Sequence, residues 1–467
     1  MNQPQKKGMG IGARSFTTAI AVIFALMVAT YILTLTVPSG IYARVPDAEG
    51  NLVMESTSRY HFTNGGIPFW KWLLSPILVL GAEGNGSLIA VIAFLLVIGG
   101  VFFALEGCGL IKYMLDRLTA RFGAVRYRMM ALLILFFMTL GAMIGSFEEC
   151  VPLVPIVVAL SVRLGWDVMT GIGMSLLAVG CGFASGVCNP FTVGVAQQVA
   201  GLPMFSGAWM RLLAFVLIYG LLFLFLFLYA KRIAVPVERG RRGDDFTADR
   251  RMDRALICFA SILGSGIVVI LCSGFIPALQ DLTMIIVAVT FLLAGVISVL
   301  VSGMSAATLG KSFLKGMLGI LPAVVMILMA SSIKYTLAEA EIMDTLLYEA
   351  VKLAGHLPAW SVILFVYFIV LIMNFFIPSG SAKAIMLMPL IVPLAGLFGI
   401  SAQLCVLAFA FGDGFSNVFY PTNPALLISL GLVDTSYGKW FRWSWKFQFL
   451  NLLLTSGILL LGLFVGY

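Results

Sequence analysis

The sequence carries little charge and almost no histidine. Only 11% of its 467 residues are charged, and the two histidines are His61 and His356; a soluble domain is about 25% charged. The sequence also lacks the H-E-x-x-H motif of zinc proteases, the G-x-S-x-G motif of serine hydrolases and the P-loop of ATPases. These absences argue against an enzyme and against an ATP-driven pump, and we expect no bound cofactor.

The patterns of cysteine and of positive charge argue against a zinc-binding protein and against a nucleic-acid-binding protein. The seven cysteines form no C-x-x-C pair, and no histidine cluster accompanies them, so we expect no zinc site. The net charge of +8 comes largely from lysines and arginines in a few short segments between apolar runs. Such segments follow the positive-inside rule of membrane proteins. They predict a cytoplasmic N-terminus and no nucleic-acid partner.

Long apolar runs are what the sequence has instead. Hydrophobic residues make up 61% of the chain, and its mean hydropathy is +1.06. Runs of about eighteen or more apolar residues can cross a bilayer as helices. The first run, Phe16 to Val37, is too long for a signal peptide and has no cleavage pattern, so we expect the mature chain to keep it. We therefore predict an all-α polytopic protein embedded in a lipid bilayer.

The two halves of the sequence share an order of landmarks. The strongly basic segment 231–254 separates a first half, 1–230, from a second half, 255–467. In each half a proline-containing helix pair with a polar tip precedes an apolar segment that is broken in its middle. We expect the helix pairs at 129–164 and 360–397 and the broken helices at 168–200 and 402–432. Counting spans gives the halves opposite orientations, which predicts two inverted repeats of the kind found in transporters.

Each helix pair has two interpretations. It is either a re-entrant hairpin or two complete spans joined by a short loop, and counting spans does not distinguish them. The second arms, Val151–Leu164 and Ala384–Leu397, have about 14 residues, or roughly 21 Å of helix, whereas the hydrocarbon core is ~30 Å thick. The arm lengths favour re-entrant hairpins whose tips meet the broken helices near the bilayer midplane.

The two breaks read SGVCNP (185–190) and SNVFYPTNP (416–424). Proline removes a helical donor and glycine relaxes the helix, so both stretches are predicted to be unwound. Within a bilayer, unwound backbone is tolerated only where protein or a water-filled cavity meets it. The alternative is a kink that only eases helix packing.

Unwound segments of this composition are suited to binding small ions and carboxylates. Their carbonyls, amides and hydroxyls offer oxygen ligands for Na⁺, and the N-termini of the half-helices suit a substrate carboxylate. We expect Na⁺ at the tips and near Asn189 and Asn423. The polar side chains at the breaks are Ser185, Asn189, Thr192, Ser416, Asn417, Thr422 and Asn423.

Ionisable residues lie inside the apolar segments at both tips and at one break. Glu148 and Glu149 lie at the first tip, Lys383 at the second, and Asp413 just before the second break. An ionisable group in a span costs about 2.5–3.5 kcal/mol on insertion scales and usually marks an ion or substrate pathway. The adjacent carboxylates raise each other's proton affinity. As alternatives, one glutamate caps the following helix, and Lys383 extends to a membrane surface.

Four blocks of the sequence resemble one family of bacterial carriers. They are GSFEE with VPLVP, CNPFTVGVAQQVAG, SGSAKAIMLMPLIVPLAG and VLAFAFGDGFSNVFYPTNPALLISLG. The blocks resemble the anaerobic C4-dicarboxylate carrier family, especially its YfcC-like branch, which is associated with exchange of basic amino acids. This resemblance implies the fold of the ion transporter superfamily, a homodimer, elevator-like movement and a bacterial inner-membrane location. It places the tips at Gly145–Glu149 and Ser379–Lys383 and the linkers at Ser185–Pro190 and Ser416–Pro424.

The candidate substrate and ion site combines both tips with both breaks. The family's second tip tends to read Ser-Gly-Ser-Gly without a charge, whereas here Ala382 and Lys383 follow Ser381. A lysine at the tip disfavours a purely cationic substrate and suits a carboxylate. The candidate residues are Gly145, Ser146, Glu148, Glu149, Ser185, Asn189, Pro190, Thr192, Ser379, Gly380, Ser381, Lys383, Asp413, Ser416, Asn417, Thr422 and Asn423.

These observations predict a secondary active transporter for a small carboxylate-bearing metabolite. Lys383 at one tip and Glu148 with Glu149 at the other would bracket a zwitterion, which favours an amino acid such as arginine or ornithine over a C4-dicarboxylate. Transport would be coupled to Na⁺ or H⁺ or proceed by exchange. The alternative from another class is an ion channel, which would need a continuous polar pathway. Inverted repeats with internal breaks favour alternating access instead.

Overall fold

The computed structural model describes residues 13–46, 52–54, 60–82, 86–122, 125–145, 147–235, 249–273, 283–354 and 358–467. Most of these residues are helical. Within the described ranges, five helices are long and apolar enough to cross a membrane, and a bent pair of helices is a sixth candidate. The chain is therefore a multi-pass helical membrane protein, as the sequence predicts.

The first half contains the helices α1 to α11. A 3₁₀ turn, Glu148–Leu153, precedes α7, and π-helical turns lie at Gly173–Leu177 and Pro190–Gly194. The bounds are α1 Ala13–Thr36, α2 Phe69–Leu73, α3 Ser75–Leu78, α4 Gly86–Gly107, α5 Leu110–Phe122, α6 Arg126–Ile144, α7 Val154–Arg163, α8 Val168–Ile172, α9 Ala178–Ser185, α10 Val195–Val199 and α11 Ala208–Ile233.

The second half contains the helices α12 to α20. Its first helix begins at Arg250, so the end of the basic segment 231–254 is helical, while residues 236–248 lie outside the described ranges. The bounds are α12 Arg250–Ser273, α13 Thr283–Val301, α14 Ala306–Glu339, α15 Met343–Ala354, α16 Ala359–Phe376, α17 Gly380–Gly396, α18 Ala402–Asn417, α19 Pro424–Leu432 and α20 Tyr437–Phe464.

Two helical segments lie beside the long helices instead of extending them. Residues 67–81 form only α2, α3 and a 3₁₀ turn, and Trp72 of α2 donates its indole N–H to the Met27 carbonyl of α1 over 3.2 Å. The amphipathic helix α5 leaves α4 at an angle of 73°. Its Asp116 forms an ion pair with Arg163 at the end of α7. The charged face of α5 therefore joins neighbouring helices.

Four short strands add to the helical fold that the sequence predicts. They are β1 (Gly40–Tyr42), β2 (Arg44–Pro46), β3 (Leu52–Met54) and β4 (Tyr60–Phe62), and β1 pairs with β4 and β2 with β3 in antiparallel ladders. Strand formation satisfies backbone groups that would otherwise depend on water.

The loop that carries β1 docks on the segment between α14 and α15. Gly40 N–H donates to the Glu341 carbonyl over 2.8 Å, and the Ser39 hydroxyl donates to the Ala340 carbonyl over 2.7 Å. Tyr42 N–H donates to the Asp344 carboxylate over 3.0 Å. Residues 39–42 are therefore attached to the second half of the chain.

Glycines bring two pairs of helices into backbone contact. A Cβ added at Gly141 of α6 would meet the Val179 carbonyl of α9, and one at Gly182 of α9 would meet the Met138 carbonyl of α6. A Cβ at Gly316 of α14 would likewise meet the Gly99 carbonyl of α4. No side chain separates the helices at these points, so larger residues there would force the pairs apart.

Candidate functional site

The first break separates α9 from the helix that resumes at Pro190. Gly186 ends α9 in the left-handed conformation, with φ of 51°, which glycine adopts without steric cost. The Asn189 side-chain oxygen accepts the Thr192 N–H over 3.3 Å and so caps the next helical turn. The Ser185 hydroxyl donates back to the Gly182 carbonyl over 2.7 Å. The helix is therefore interrupted within SGVCNP, where the sequence predicts a break.

The second break separates α18 from α19. The Asn423 side-chain oxygen accepts the Ala425 N–H over 2.9 Å, and Pro424 occupies the first helical position, where its missing donor costs nothing. The Asn423 amide donates to the Asn417 side-chain oxygen over 3.1 Å. Both Asn-Pro pairs therefore begin a half-helix in the same way.

The long helix after each break donates a side-chain N–H to an unwound carbonyl. Arg211 of α11 donates its Nε–H to the Val187 carbonyl over 3.2 Å and an Nη2–H to the Phe205 carbonyl over 3.1 Å. Trp440 of α20 donates its indole N–H to the Val418 carbonyl over 2.7 Å. Sequence reasoning missed both residues, because an arginine or tryptophan near the end of a span is typical of an ordinary membrane-interface position.

The first tip lies against the first break. Gly145 ends α6 in the left-handed conformation, with φ of 75°, and a Cβ added to it would meet the Asn189 side-chain oxygen. Cys188 N–H donates to the Ala142 carbonyl of α6 over 3.0 Å.

The polar residues of the first tip are only partly described. Ser146 lies outside the described residues. Glu148 and Glu149 have their backbone in the 3₁₀ turn, but their side chains lie outside the described residues. Their binding and capping roles therefore stay predictions. The turn itself contacts α19, the half-helix that follows the second break.

The second tip lies between the two breaks. The chain between α16 and α17 is not helical, and Gly380 begins α17. A Cβ added to Gly380 would lie 2.5 Å from Thr192 Cγ2 and 2.7 Å from Asp413 Oδ2. The neighbouring Ser379 makes no side-chain cap to α17, and Ser381 is half-buried. Only a glycine lets this tip meet residues from both broken helices so closely.

Lys383 forms a buried ion pair with Asp413. Both side chains are 0% exposed, and Lys383 Nζ lies 2.6 Å from Asp413 Oδ1. The ammonium also donates to the Ile377 carbonyl over 3.1 Å and to the Asn374 side-chain oxygen. Lys383 therefore does not extend to a membrane surface, and its charge is neutralised inside the protein.

Asn374 organises the polar residues around this pair. The two N–H groups of its side-chain amide are shared among three acceptors: the Asp413 carbonyl at 3.0 Å, the Ser416 hydroxyl at 2.6 Å and the Asn417 side-chain oxygen at 2.9 Å. Sequence reasoning did not select Asn374. The available signal was an amide in the apolar helix α16, three residues before the interruption at Ile377.

Several polar atoms at the breaks remain available for a ligand. Thr192 Oγ1, Thr422 Oγ1 and Asp413 Oδ2 are buried and make no hydrogen bond to the residues that the structure describes. Buried polar atoms usually have partners, so these three are candidates for contacts with a ligand, and two of them belong to side chains that meet at Gly380.

The donor set at the breaks does not resemble a site for a transition metal. Among the described residues, no group of three or more His, Cys, Asp or Glu side chains could hold a metal ion. The side-chain oxygens of Asn189 and Asn423, where we predict Na⁺, each accept a backbone N–H. An amide oxygen has two lone pairs, so the Na⁺ hypothesis stays a prediction.

The family model of the C4-dicarboxylate anaerobic carriers, DcuC, matches residues 16–464. The chain belongs to this family. A relative from Escherichia coli K12, named "Putative basic amino acid antiporter YfcC", is 30% identical over 409 residues, which cover 82% of this chain and 79% of the relative. The family and this relative are carriers, so the expectation that the chain is not an enzyme is confirmed.

A second relative and two solved structures are more distant. An uncharacterized Haemophilus influenzae protein is 23% identical, over 92% of this chain and 93% of its own length. The Alcanivorax borkumensis YdaH transporter has a TM-score of 0.47 at 17% identity, covering 96% of this chain and 99% of its own. Neisseria gonorrhoeae MtrF, described among antimetabolite efflux pumps, has a TM-score of 0.48 at 13% identity, covering 95% and 94%.

Proposed function

We propose that the protein is a secondary active transporter of an amino acid, with basic amino acids such as arginine or ornithine as first candidates. One observation carries the proposal. Asp413 Oδ2 and the side chain of Thr192 meet at Gly380, and both Asp413 Oδ2 and Thr192 Oγ1 are buried without hydrogen-bond partners among the described residues. A carboxylate oxygen and a hydroxyl suit the ammonium group of an amino acid.

The other end of the substrate would lie at the half-helices. The N-terminus of α19, with the Thr422 hydroxyl just before it, offers N–H and O–H donors to a substrate carboxylate. Glu148 and Glu149 would add negative charge for a basic side chain, which is the property that distinguishes arginine and ornithine from neutral amino acids.

A C4-dicarboxylate is the second candidate, because the matching family model describes carriers of that class. A dicarboxylate needs donors or positive charge for two carboxylates. The N-terminus of α19 would serve one of them. The Lys383 ammonium is the candidate for the other, and it already faces three oxygens, including Asp413 Oδ1. The observed pairing therefore supports an amino acid over a dicarboxylate.

The transport mechanism is proposed from the arrangement of the breaks. The two halves would be inverted repeats, 1–230 and 255–467, with re-entrant hairpins that move in an elevator-like manner relative to a scaffold. The interrupted helices and the glycine contacts at both tips support this proposal over an ion channel. By family resemblance, the protein would be a homodimer in the bacterial inner membrane. Coupling would be to Na⁺ or H⁺, or by exchange.

Uptake into proteoliposomes tests the function. Purified protein would be reconstituted and offered radiolabelled arginine, ornithine, a neutral amino acid, succinate and fumarate, under an imposed Na⁺ gradient, an imposed pH gradient or with internal substrate for exchange. We expect saturable uptake of a basic amino acid that excess unlabelled substrate competes away.

The matched variant is Thr192→Val, which keeps the shape of the side chain but removes a hydroxyl that has no hydrogen-bond partner among the described residues. It should stay folded and lose uptake of the amino acid. Saturable uptake of succinate but not of amino acids would replace the first candidate with the second. Flux of ions at channel-like rates without saturation would overturn the carrier proposal.

A further inference from the structure

The ammonium of Lys383 is surrounded by oxygens of the protein itself. Its Nζ atom lies 2.6 Å from Asp413 Oδ1 and donates to the Ile377 carbonyl and to the Asn374 side-chain oxygen. A lysine ammonium has three donors and accepts no hydrogen bond. Because the side chain is fully buried, water does not compete for these positions. Lys383 therefore serves the protein's own oxygens.

These three oxygens form a set that would also bind a small monovalent cation. One is a carboxylate oxygen from α18, one an amide oxygen from α16, and one a backbone carbonyl from the non-helical linker between α16 and α17. Unwound carbonyls and side-chain oxygens are what transporters use to bind Na⁺ at interrupted helices. The ammonium thus lies where a cation with a charge of +1 would neutralise Asp413.

One of the three oxygens, that of Asn374, is held in place without help from Lys383. The amide nitrogen of Asn374 contacts the Asp413 carbonyl, the Ser416 hydroxyl and the Asn417 side-chain oxygen as a donor. These contacts turn the Asn374 oxygen towards the ammonium. The Ser416 hydroxyl in turn donates to the Gly412 carbonyl over 2.8 Å, which fixes its position on α18. In the oxygen cage formed by Asp413 Oδ1, Asn374 Oδ1 and the Ile377 carbonyl, the Asn374 oxygen would therefore stay in place if another cation replaced the ammonium.

We propose that Lys383 is a tethered cation that occupies a monovalent-cation site formed by Asp413, Asn374 and Ile377. Na⁺ then has no role at the second tip of the wild-type protein, and coupling there is left to H⁺ or to exchange of substrates. The inference rests on the proposed function, since it assigns the ion requirement of the same site. If the Lys383–Asp413 pair only stabilised the fold, removing the lysine would not create a Na⁺ site. The two alternatives therefore predict different responses of a lysine-free variant to Na⁺.

The test uses Na⁺ as the probe and needs no substrate. The thermal unfolding midpoint, Tm, of the full-length protein in detergent would be measured against NaCl, with KCl and choline chloride at equal ionic strength. Wild type should show no Na⁺-specific change. Lys383→Ala should start from a lower Tm and gain a saturable, Na⁺-specific rise, because Na⁺ binds only the folded state. The double variant Lys383→Ala/Asp413→Asn should lose that rise.

Lys334 provides a matched control for removing an intramembrane lysine. It lies in α14, is half-buried and has no ion pair among the described residues. Lys334→Ala should show no Na⁺-specific rise in Tm. If both alanine variants respond equally to Na⁺, the response is not specific to the cage, and the proposal is overturned.

Two further outcomes decide the proposal. A folded Lys383→Ala variant without a Na⁺-specific rise would overturn it, and so would a wild-type Na⁺ response that Asp413→Asn removes. If Lys383→Ala is difficult to fold, purification is carried out in parallel in NaCl and in KCl. Recovery of monodisperse protein in NaCl alone supports the proposal, and recovery in neither salt overturns it.

Failure of this inference is distinguishable from failure of the proposed function. The Tm measurement reports only cation binding, so it stands or falls without any transport. The uptake panel reports substrate choice and would fail for every amino acid if the proposed function were wrong. A Na⁺-specific Tm rise in Lys383→Ala together with uptake of succinate alone would retain the tethered cation and discard the amino acid substrate.

Discussion

The two breaks begin their second half-helices alike but are joined to the preceding helix pairs differently. In both, an Asn-Pro pair caps the resumed helix. The first helix pair, α6 and α7, meets its break through the backbone bond from Cys188 to Ala142 and the contact of Gly145 with Asn189. The second helix pair, α16 and α17, meets its break through the ion pair of Lys383 with Asp413.

This difference shows where each half keeps its buried positive charge. Arg211 lies on the helix after the first break and donates to neutral acceptors, and no carboxylate in the described part of the chain forms an ion pair with it. Lys383 belongs to the tip of the second helix pair itself. Separating the second helix pair from its broken helix therefore breaks a buried ion pair, whereas the contacts described between the first helix pair and its break are neutral.

Removing the carboxylate of the second break should have the largest effect on stability. Asp413→Asn leaves the Lys383 ammonium buried without its opposite charge, and breaking one partner of a buried pair costs about 3–5 kcal/mol. We expect a strongly lowered Tm in detergent. The double variant Lys383→Met/Asp413→Leu should recover part of the loss, since it removes both charges together. If Asp413→Asn alone unfolds at the same Tm as wild type, the ion pair does not distinguish the second break from the first.

Removing the cation beside the first break should also lower stability, but without leaving an opposite charge buried. Arg211→Met loses charged donors to the carbonyls of Val187 and Phe205, and a hydrogen bond to a charged group contributes about 1.5–3 kcal/mol. Trp440→Phe is the comparison in the second half, because it removes one neutral hydrogen bond worth about 0.5–1.5 kcal/mol. Thermal unfolding should rank Arg211→Met below wild type and below Trp440→Phe. A larger drop in Tm for Trp440→Phe than for Arg211→Met would contradict the view that the contact of Arg211 with the carbonyls is the stronger of the two.

The shared feature of the breaks should affect transport more than stability. Asn189→Ala and Asn423→Ala each remove a helix cap worth about 1 kcal/mol, and we expect folded protein that no longer takes up substrate. Asn423→Asp keeps an oxygen that can accept the Ala425 N–H, so it should stay closer to wild type in Tm than Asn423→Ala does. Unchanged uptake kinetics in both alanine variants would mean that the breaks only ease packing.

The smallest effect is expected outside the spans, where the charges face water. Lys71 and Glu339 form an ion pair with 31% and 34% of their side chains exposed, and such pairs contribute about 0–1 kcal/mol. The hydrogen bond to Glu339 raises the pKa of Lys71 above its ordinary value of 10.5. The stabilisation is therefore present below pH 10.5 and is lost as the pH rises through the raised pKa. Lys71→Met should lower Tm slightly at pH 8, and the difference from wild type should shrink at high pH.

Local signals were sufficient to predict much of this molecule. Glycine and proline predicted the breaks within SGVCNP and SNVFYPTNP. Their effect on a helix is local and does not depend on contacts with distant segments. The apolar runs predicted the helical membrane fold. The paired Asn-Pro signals also marked Asn189 and Asn423, whose caps depend on neighbours two or three residues away.

Contacts between distant segments were not predictable in the same way. Lys383 and Asp413 are 30 residues apart in sequence, and neither carries a local sign that the two would pair. We expected Lys383 to face the substrate, but in the structure its donors are used by protein oxygens. Asn374 was missed because its role arises only where α16 meets α18. The short strands were missed because each has only three residues, too few for a clear pattern, and β1 pairs with β4 about twenty positions away.

The glycine contacts between α6 and α9 determine which parts of the molecule can slide past one another. With Gly141 and Gly182 against opposing carbonyls, neither helix has side chains there that could change rotamer to let the other pass. Helix α6 and the half-helix α9 before the first break therefore form one mechanical unit. The contact of Gly99 with Gly316 makes a second unit of α4 and α14. A surface along which helices slide during transport would have to pass outside both units.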